Sequence, residues 1–161
     1  MLGVRSTVSS SPERFHRYRI GEAKLRASNW HSATVVSAVF FSAFSAVHLI
    51  DDFLSDVPSE FHLDVTLTLF LSFAYMLSIV GLLVAASQRS STGYLGLGIA
   101  GLLIFLAQLL KSVPEMLVPG PWHLGTASEI AAIGLGFSAA MTAICSFKSW
   151  RLAKSRFSSD A

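Results

Sequence analysis

Cysteine is almost absent from this chain, since Cys145 is the single one among 161 residues. One thiol excludes a disulfide within the chain and any metal site built from several cysteines. The common enzyme signatures are missing as well: the chain has no His-Glu-x-x-His pair, no Cys-x-x-Cys pair and no serine-hydrolase elbow. The sequence therefore leaves any cofactor unknown, and an enzymatic activity is the less favoured expectation.

Charge is scarce too. Charged residues make up 14% of the chain and hydrophobic residues 52%, whereas about 25% charged residues is usual in soluble domains. Four stretches of 24, 24, 21 and 18 residues contain no Asp, Glu, Lys or Arg: 27–50, 65–88, 90–110 and 130–147. About 20 helical residues cross a hydrocarbon layer of about 30 Å. Because a soluble bundle would carry charges on the outward face of every helix, the sequence predicts an integral membrane protein.

The predicted fold is an all-α, up-and-down bundle of four transmembrane helices, at about 32–50, 65–87, 94–110 and 129–147. This divides the chain into a basic, partly amphipathic segment (1–31), a transmembrane domain (32–147) and a basic tail (148–161). Gly21 argues against one unbroken helix in the first segment, which either lies on an anionic lipid surface or is a disordered tail. Three prolines are expected to prevent a regular helix in the loop 111–125.

Lysine and arginine are concentrated on one side of this topology. If all four helices cross, the segments 1–31, 88–93 and 148–161 share a side and hold eleven of the twelve basic residues. The opposite segments, 51–64 and 111–129, hold Lys111 and seven of the ten acids. The positive-inside rule therefore predicts cytoplasmic termini in a multi-pass protein of the cell membrane. The mitochondrial inner membrane is the minor alternative, because the first 30 residues are rich in Ser and Arg and poor in acid, like a transit peptide.

Small side chains recur at helical spacing along the predicted spans. These faces comprise Thr34, Ala38, Ser42 and Ser45 in the first span, Tyr94, Gly98, Gly101, Phe105 and Gln108 in the third, and Ala132, Gly136 and Ala140, beside Gly134, Ser138 and Thr142, in the fourth. Lipid provides no hydrophobic driving force between helices, so close packing depends on such small faces. They predict a compact bundle with its bulky Leu, Ile and Phe side chains turned to the lipid. The alternative use of the same faces is a homo-oligomer interface.

Ionisable residues collect on the side opposite the basic segments. His48 lies inside the first apolar stretch, and its spacing from Asp52 places both on one helix face. Such a residue is costly within a membrane unless it faces the bundle interior or water, and histidine titrates near neutral pH. One interpretation is therefore a ligand or proton site here, formed by His48, Asp51, Asp52, His62, His123 and Glu129, but it is not the favoured one.

Two other interpretations of this cluster stay open. Imidazole and carboxylate groups together suit a divalent metal, although no metal motif supports one. Alternatively, the acids are present because lysine and arginine are excluded from outer loops, and His48 pairs only locally.

Two functions are consistent with this sequence. The first is an accessory or structural subunit whose outer loops bind a membrane-protein partner. The second is a membrane-embedded ligand-binding protein or enzyme with a histidine and carboxylate pocket at the outer ends of the helices. The basic residues are too few and too dispersed for nucleic-acid binding.

Overall fold

Residues 12–54, 64–116 and 126–157 are described by a computed structural model, with side chains for 25–54, 64–111 and 128–155. This part of the chain is helical apart from the short turn after residue 87 and Asp64, and contains α1 (Pro12–Leu54), α2 (Val65–Ser87), α3 (Ser91–Met116) and α4 (Thr126–Phe157). Each helix contains an apolar stretch of at least 21 residues, long enough to cross a membrane. The prediction of four helices of membrane-spanning length is confirmed.

The helix α1 extends far beyond its predicted apolar span. It has 43 residues, which corresponds to about 65 Å, and it passes through Gly21 without a break. A glycine inside a helix costs only about 1 kcal/mol relative to alanine, and its neighbours Glu22, Ala23, Lys24 and Leu25 are all strong helix formers. The expected interruption at Gly21 is therefore absent.

The helix α3 also departs from the prediction, because it continues through Pro114 and ends at Met116. The expectation that prolines prevent a helix is wrong for residues 111–116. Proline fixes φ near the helical value and removes one backbone N–H donor. Close to the end of a helix, that loss affects a single hydrogen bond. The rest of the predicted loop, 117–125, lies outside the described residues.

Both ends of α2 are closed by specific hydrogen bonds. At its start, Asp64 is the N-cap residue, and its carboxylate accepts a hydrogen bond from the backbone N–H of Leu67 at 2.8 Å. At its end, the N–H of Arg89 donates to the carbonyl of Ala86 at 2.9 Å, and the N–H of Ser90 donates to Ala85 at 3.1 Å. This pair of bonds is a Schellman motif. It turns the chain directly into α3.

Around the bundle, α1 packs against α2 and α4, and α3 packs against the same two helices. The most extensive interfaces are those of α4 with α3 and with α1, and α2 packs less extensively against α1 and α3. Half (50%) of the most apolar stretch of α4 is buried, compared with 11% in α2. The structure is thus an up-and-down bundle in which α4 contributes most of the interior and α2 lies at the edge.

Packing of α3 on α4 depends on backbone contact at Gly101. A Cβ atom added there would lie 2.7 Å from the carbonyl oxygen of Ala139 and 3.0 Å from the backbone N of Ala143. The predicted small faces of α1 and α3 are largely buried, whereas Gly136 and Ala140 of α4 are only half-buried. The more deeply buried row of α4 lies beside them and comprises Ala131, Leu135, Ser138, Ala139 and Thr142. Large apolar side chains such as Phe70, Phe73 and Leu110 are exposed.

Polar side chains inside the bundle connect α1 to each of the other helices. The connections are Ser45 to Tyr75 of α2 at 3.0 Å, His31 to Tyr94 of α3 at 2.7 Å, Thr34 to Ser149 of α4 at 2.9 Å, and Asp51 to Ser128 of α4 at 2.7 Å. In lipid, a polar side chain between helices is stabilised by a partner on the neighbouring helix. These bonds therefore fix the rotation of α1 about its own axis.

Candidate functional site

One end of the bundle, here named the acidic end, is formed by the C-terminal ends of α1 and α3 and the N-terminal ends of α2 and α4. All acidic side chains that the structure describes lie there: Asp51, Asp52, Asp64 and Glu129. The opposite end, named the basic end, carries Arg26, Arg89, Lys148, Arg151 and Lys154 among the described residues. The sequence-predicted site is at the acidic end.

His48 and Asp52 lie close together on one face of α1. The Nε2 atom of His48 is 3.9 Å from a carboxylate oxygen of Asp52, and Nζ of Lys111 is 3.5 Å from the other oxygen. At 3.9 Å the histidine contact is an electrostatic one and not a hydrogen bond. Exposure rises outward through this trio, from 13% for His48 to 25% for Asp52 and 40% for Lys111. Asp52 therefore lies between the imidazole of His48 and the ammonium group of Lys111.

Asp51 faces a different direction from Asp52. Its carboxylate is buried (8% exposed) and accepts a hydrogen bond from the hydroxyl of Ser128 at 2.7 Å. Ser128 lies in the first turn of α4, where the positive end of the helix dipole favours a carboxylate. Glu129, the next residue, is exposed. Asp51 thus ties α1 to α4. Among the described hydrogen bonds and ion pairs, His48 interacts with Asp52 and not with Asp51 or Glu129.

The remaining predicted site residues, His62 and His123, lie outside the described residues. Among the residues that are described, no group of three His, Cys, Asp or Glu side chains is close enough to hold a metal ion. The geometry at the acidic end therefore concerns His48, Asp52 and Lys111.

A cavity of about 240 Å³, named the His48 pocket, has His48 in its wall. Its lining comes from all four helices and comprises the polar Ser45, His48, Tyr75 and Gln108 and the apolar Leu49, Ile104, Ala107 and Leu135. Tyr75 is held by the hydroxyl of Ser45. The Nδ1 atom of His48 is buried and has no hydrogen-bond partner in the described part of the chain. Since most buried polar groups in proteins are paired, this atom points to a missing partner.

A larger groove of about 560 Å³ runs along α1 and α4, but its chemistry is different. It is lined mainly by apolar side chains such as Val36, Phe40, Phe137 and Met141, with Ser37 and Ser138 as small residues between them. A groove without convergent polar groups does not orient a ligand, whereas ligand sites combine apolar walls with a few placed polar groups. The His48 pocket is therefore the stronger candidate despite its smaller volume.

Tyr75 and Lys111 reach the site in ways that the residue pattern alone does not show, whereas the sequence already indicates Gln108 as either a helix-to-helix hydrogen bond or a ligand contact. Lys111 carries the one signal that sequence reasoning could have used: it is the sole base predicted on an otherwise acidic side, so an acidic partner is expected. Gln108 lies three residues earlier and therefore on a neighbouring part of the same helix face. Tyr75 gives no such signal, because its approach to α1 depends on how two helices are rotated.

No known family model matches this chain, and neither the curated proteins nor the solved structures include a significant match.

Proposed function

We propose that the protein is a multi-pass integral membrane protein of the cell membrane, with four crossings and both termini on the cytoplasmic side. The four apolar helices and their exposed Leu, Ile and Phe side chains support membrane insertion. Its orientation is supported by the separation of charge between the basic and acidic ends, because positively charged segments are retained in the cytoplasm. The mitochondrial inner membrane remains the alternative location.

This orientation predicts which introduced cysteines react from outside the cell. In a Cys145→Ala background, Ser59→Cys should be labelled on intact cells by an impermeant thiol reagent. The reason is that residue 59 lies in the outer segment between the first two crossings of the proposed topology. Gln88→Cys, in the turn at the basic end, should be labelled only after lysis. The reverse pattern would contradict the proposed orientation.

Within this membrane protein, we propose that the His48 pocket binds a small membrane-soluble ligand through its polar head group. The observation that carries the proposal is the buried, unpaired Nδ1 of His48 on the wall of a cavity shared with Ser45, Tyr75 and Gln108. An unpaired buried polar atom costs about 1–3 kcal/mol. A ligand that donates to this nitrogen or accepts from it would remove that cost.

The lining of the pocket indicates the class of ligand. Imidazole, phenol, hydroxyl and amide groups offer hydrogen-bond donors and acceptors, and the described lining contains no Asp, Glu, Lys or Arg side chain. Four of the lining residues are apolar. We therefore propose a ligand with a hydroxyl or carbonyl head group and an apolar tail.

Replacing His48 by leucine should separate binding from folding. Leucine removes the unpaired nitrogen at similar volume, so we expect ligand-free His48→Leu protein to be more stable than the parent by about 1–3 kcal/mol. The co-purified ligand, measured by native mass spectrometry and by mass spectrometry of a lipid extract, should fall about tenfold or more.

Ser78→Ala provides the control, because Ser78 is exposed on α2 and its hydroxyl bonds to the carbonyl of Ala74 in its own helix. This variant should keep the ligand. If parent and His48→Leu proteins carry the same bound molecules, or if leucine destabilises the ligand-free protein, the pocket has no ligand role.

The other expected function, an accessory or structural subunit, would depend on the outer loops. Those loops include residues 55–63 and 117–125, which lie outside the described residues. Binding of a membrane-protein partner through them stays a prediction from the sequence.

A further inference from the structure

A second cavity, of about 190 Å³, lies at the basic end of the bundle. Its polar lining comprises His31 of α1, Arg89 of the α2–α3 turn, Tyr94 of α3 and Ser149 of α4. Ala27, Leu152 and Ala153 complete it. The cavity is large compared with the ~30 Å³ that one water molecule takes up in the liquid. It therefore has room for a tetrahedral oxyanion group among four hydrogen-bonding side chains.

The charge that the described side chains bring to this cavity is positive. Among them, Arg89 is the only fully charged lining residue, and no carboxylate contributes to the lining. The ion pairs between described side chains involve Asp52 at the opposite end, and neither of them engages Arg89. Lys148 and Lys154 lie over the rings of Trp30 and Trp150, at 5.9 Å and 5.6 Å from the ring centroids. The guanidinium of Arg89 is thus available for an anion.

The backbone at Arg89 gives an independent indication. This residue has a φ of 62°, in the left-handed region, at the position of a Schellman motif where glycine is usual. For a residue with a Cβ atom, that conformation costs about 1–2 kcal/mol. Strained residues of this kind concentrate at functional sites. A glycine would close the same turn without strain, so a side chain at this position carries a conformational cost that its interactions can offset.

We propose that this cavity binds a phosphate group, held by Arg89 with help from His31, Tyr94 and Ser149. Guanidinium binds phosphate through two parallel N–H···O bonds. Basic pockets between transmembrane helices on the cytoplasmic side suit the head groups of anionic phospholipids. The phosphate therefore belongs either to such a lipid or to a soluble phosphate compound. This site is separate from the His48 pocket and depends only on the proposed membrane location.

The test compares two lipids that differ only in the phosphate-containing head group. Detergent-purified protein is titrated with phosphatidylglycerol and with diacylglycerol of the same acyl chains, and binding is measured by native mass spectrometry. We expect the parent to bind phosphatidylglycerol about tenfold more tightly. Arg89→Gly should lose this preference and melt at the same or a higher temperature, because glycine favours the turn. Equal binding of both lipids by the parent would overturn the proposal.

A matched variant tests whether binding depends on the position of the arginine or only on the net charge of the turn. Gln88→Arg combined with Arg89→Gly keeps one arginine in the turn and moves it away from the cavity lining. We expect no recovery of the lipid preference. If this double variant binds phosphatidylglycerol as the parent does, or if Arg89→Gly alone keeps the preference, the site does not exist.

Inorganic phosphate distinguishes the two sources of the group. Displacement of phosphatidylglycerol from the parent by millimolar phosphate would support a site for a soluble phosphate compound. Retention of the lipid under the same conditions would support a lipid head group as the occupant.

Discussion

Replacing Gly101 by alanine is expected to lower the free energy of unfolding by about 1–3 kcal/mol. The added Cβ would lie 2.7 Å from the carbonyl oxygen of Ala139 and 3.0 Å from the backbone N of Ala143. Neither atom can move by changing a rotamer, because both belong to the backbone of α4. The two helices must therefore separate, which weakens one of the largest interfaces of the bundle. Unfolding in mixed detergent micelles measures the change.

Gly81→Ala is the matched control for this substitution. Gly81 is exposed on α2, and a Cβ atom added there would have no neighbour within 4 Å. Because alanine favours helices more than glycine, this variant should be as stable as the parent or more stable by up to about 1 kcal/mol. Equal destabilisation by both variants would show that α3 and α4 do not approach closely at Gly101.

Loss of the connection between Asp51 and Ser128 is the second large expected effect. Ser128→Ala removes the hydroxyl that donates to a carboxylate of 8% exposure at 2.7 Å. A buried acceptor that loses its donor costs about 1–3 kcal/mol, and a charged acceptor costs more. We therefore expect the free energy of unfolding to fall by at least that amount, measured in the same micelle assay.

Two further variants make this result specific. Glu129→Ala changes the neighbouring, exposed residue and should alter stability by no more than about 0.5 kcal/mol. In a double-mutant cycle, Asp51→Asn combined with Ser128→Ala should destabilise less than the sum of the two single changes. Additive effects would mean that the two side chains do not interact in the folded protein.

The bounds of α2 follow from its sequence, whereas those of α1, α3 and α4 do not, since α4 begins at Thr126 and ends at Phe157 and not at 129 and 147. The prediction for α2, 65–87, agrees with the structure because Asp64 caps one end and the polar turn after Ser87 closes the other. The charge-free stretches of the sequence show where the apolar segments lie. They do not show where a helix ends, because a helix is held by backbone hydrogen bonds that polar residues also make. The helices therefore continue into the polar segment before residue 32 and past Lys111.

The candidate site was predictable only within a single helix. The four-residue spacing of His48 and Asp52 gives their proximity directly, since such residues lie on one helix face. Asp51 is adjacent to Asp52, so helix geometry turns its side chain toward a different face of α1. The position of α4 then makes that face the one that meets Ser128. By contrast, the approach of Tyr75 and Lys111 depends on the rotation and relative height of separate helices. A single sequence does not show that arrangement.

The unequal burial of the helices has a consequence for biogenesis. Because α4 is synthesised after α1 and α3, these two helices leave the ribosome before their most extensive packing partner exists. In the structure α1 and α3 make little contact with each other. In the proposed membrane topology, they therefore lack most of their packing contacts until residues 126–157 have been made. Stable tertiary structure is thus expected to form late, when α4 packs against both of them.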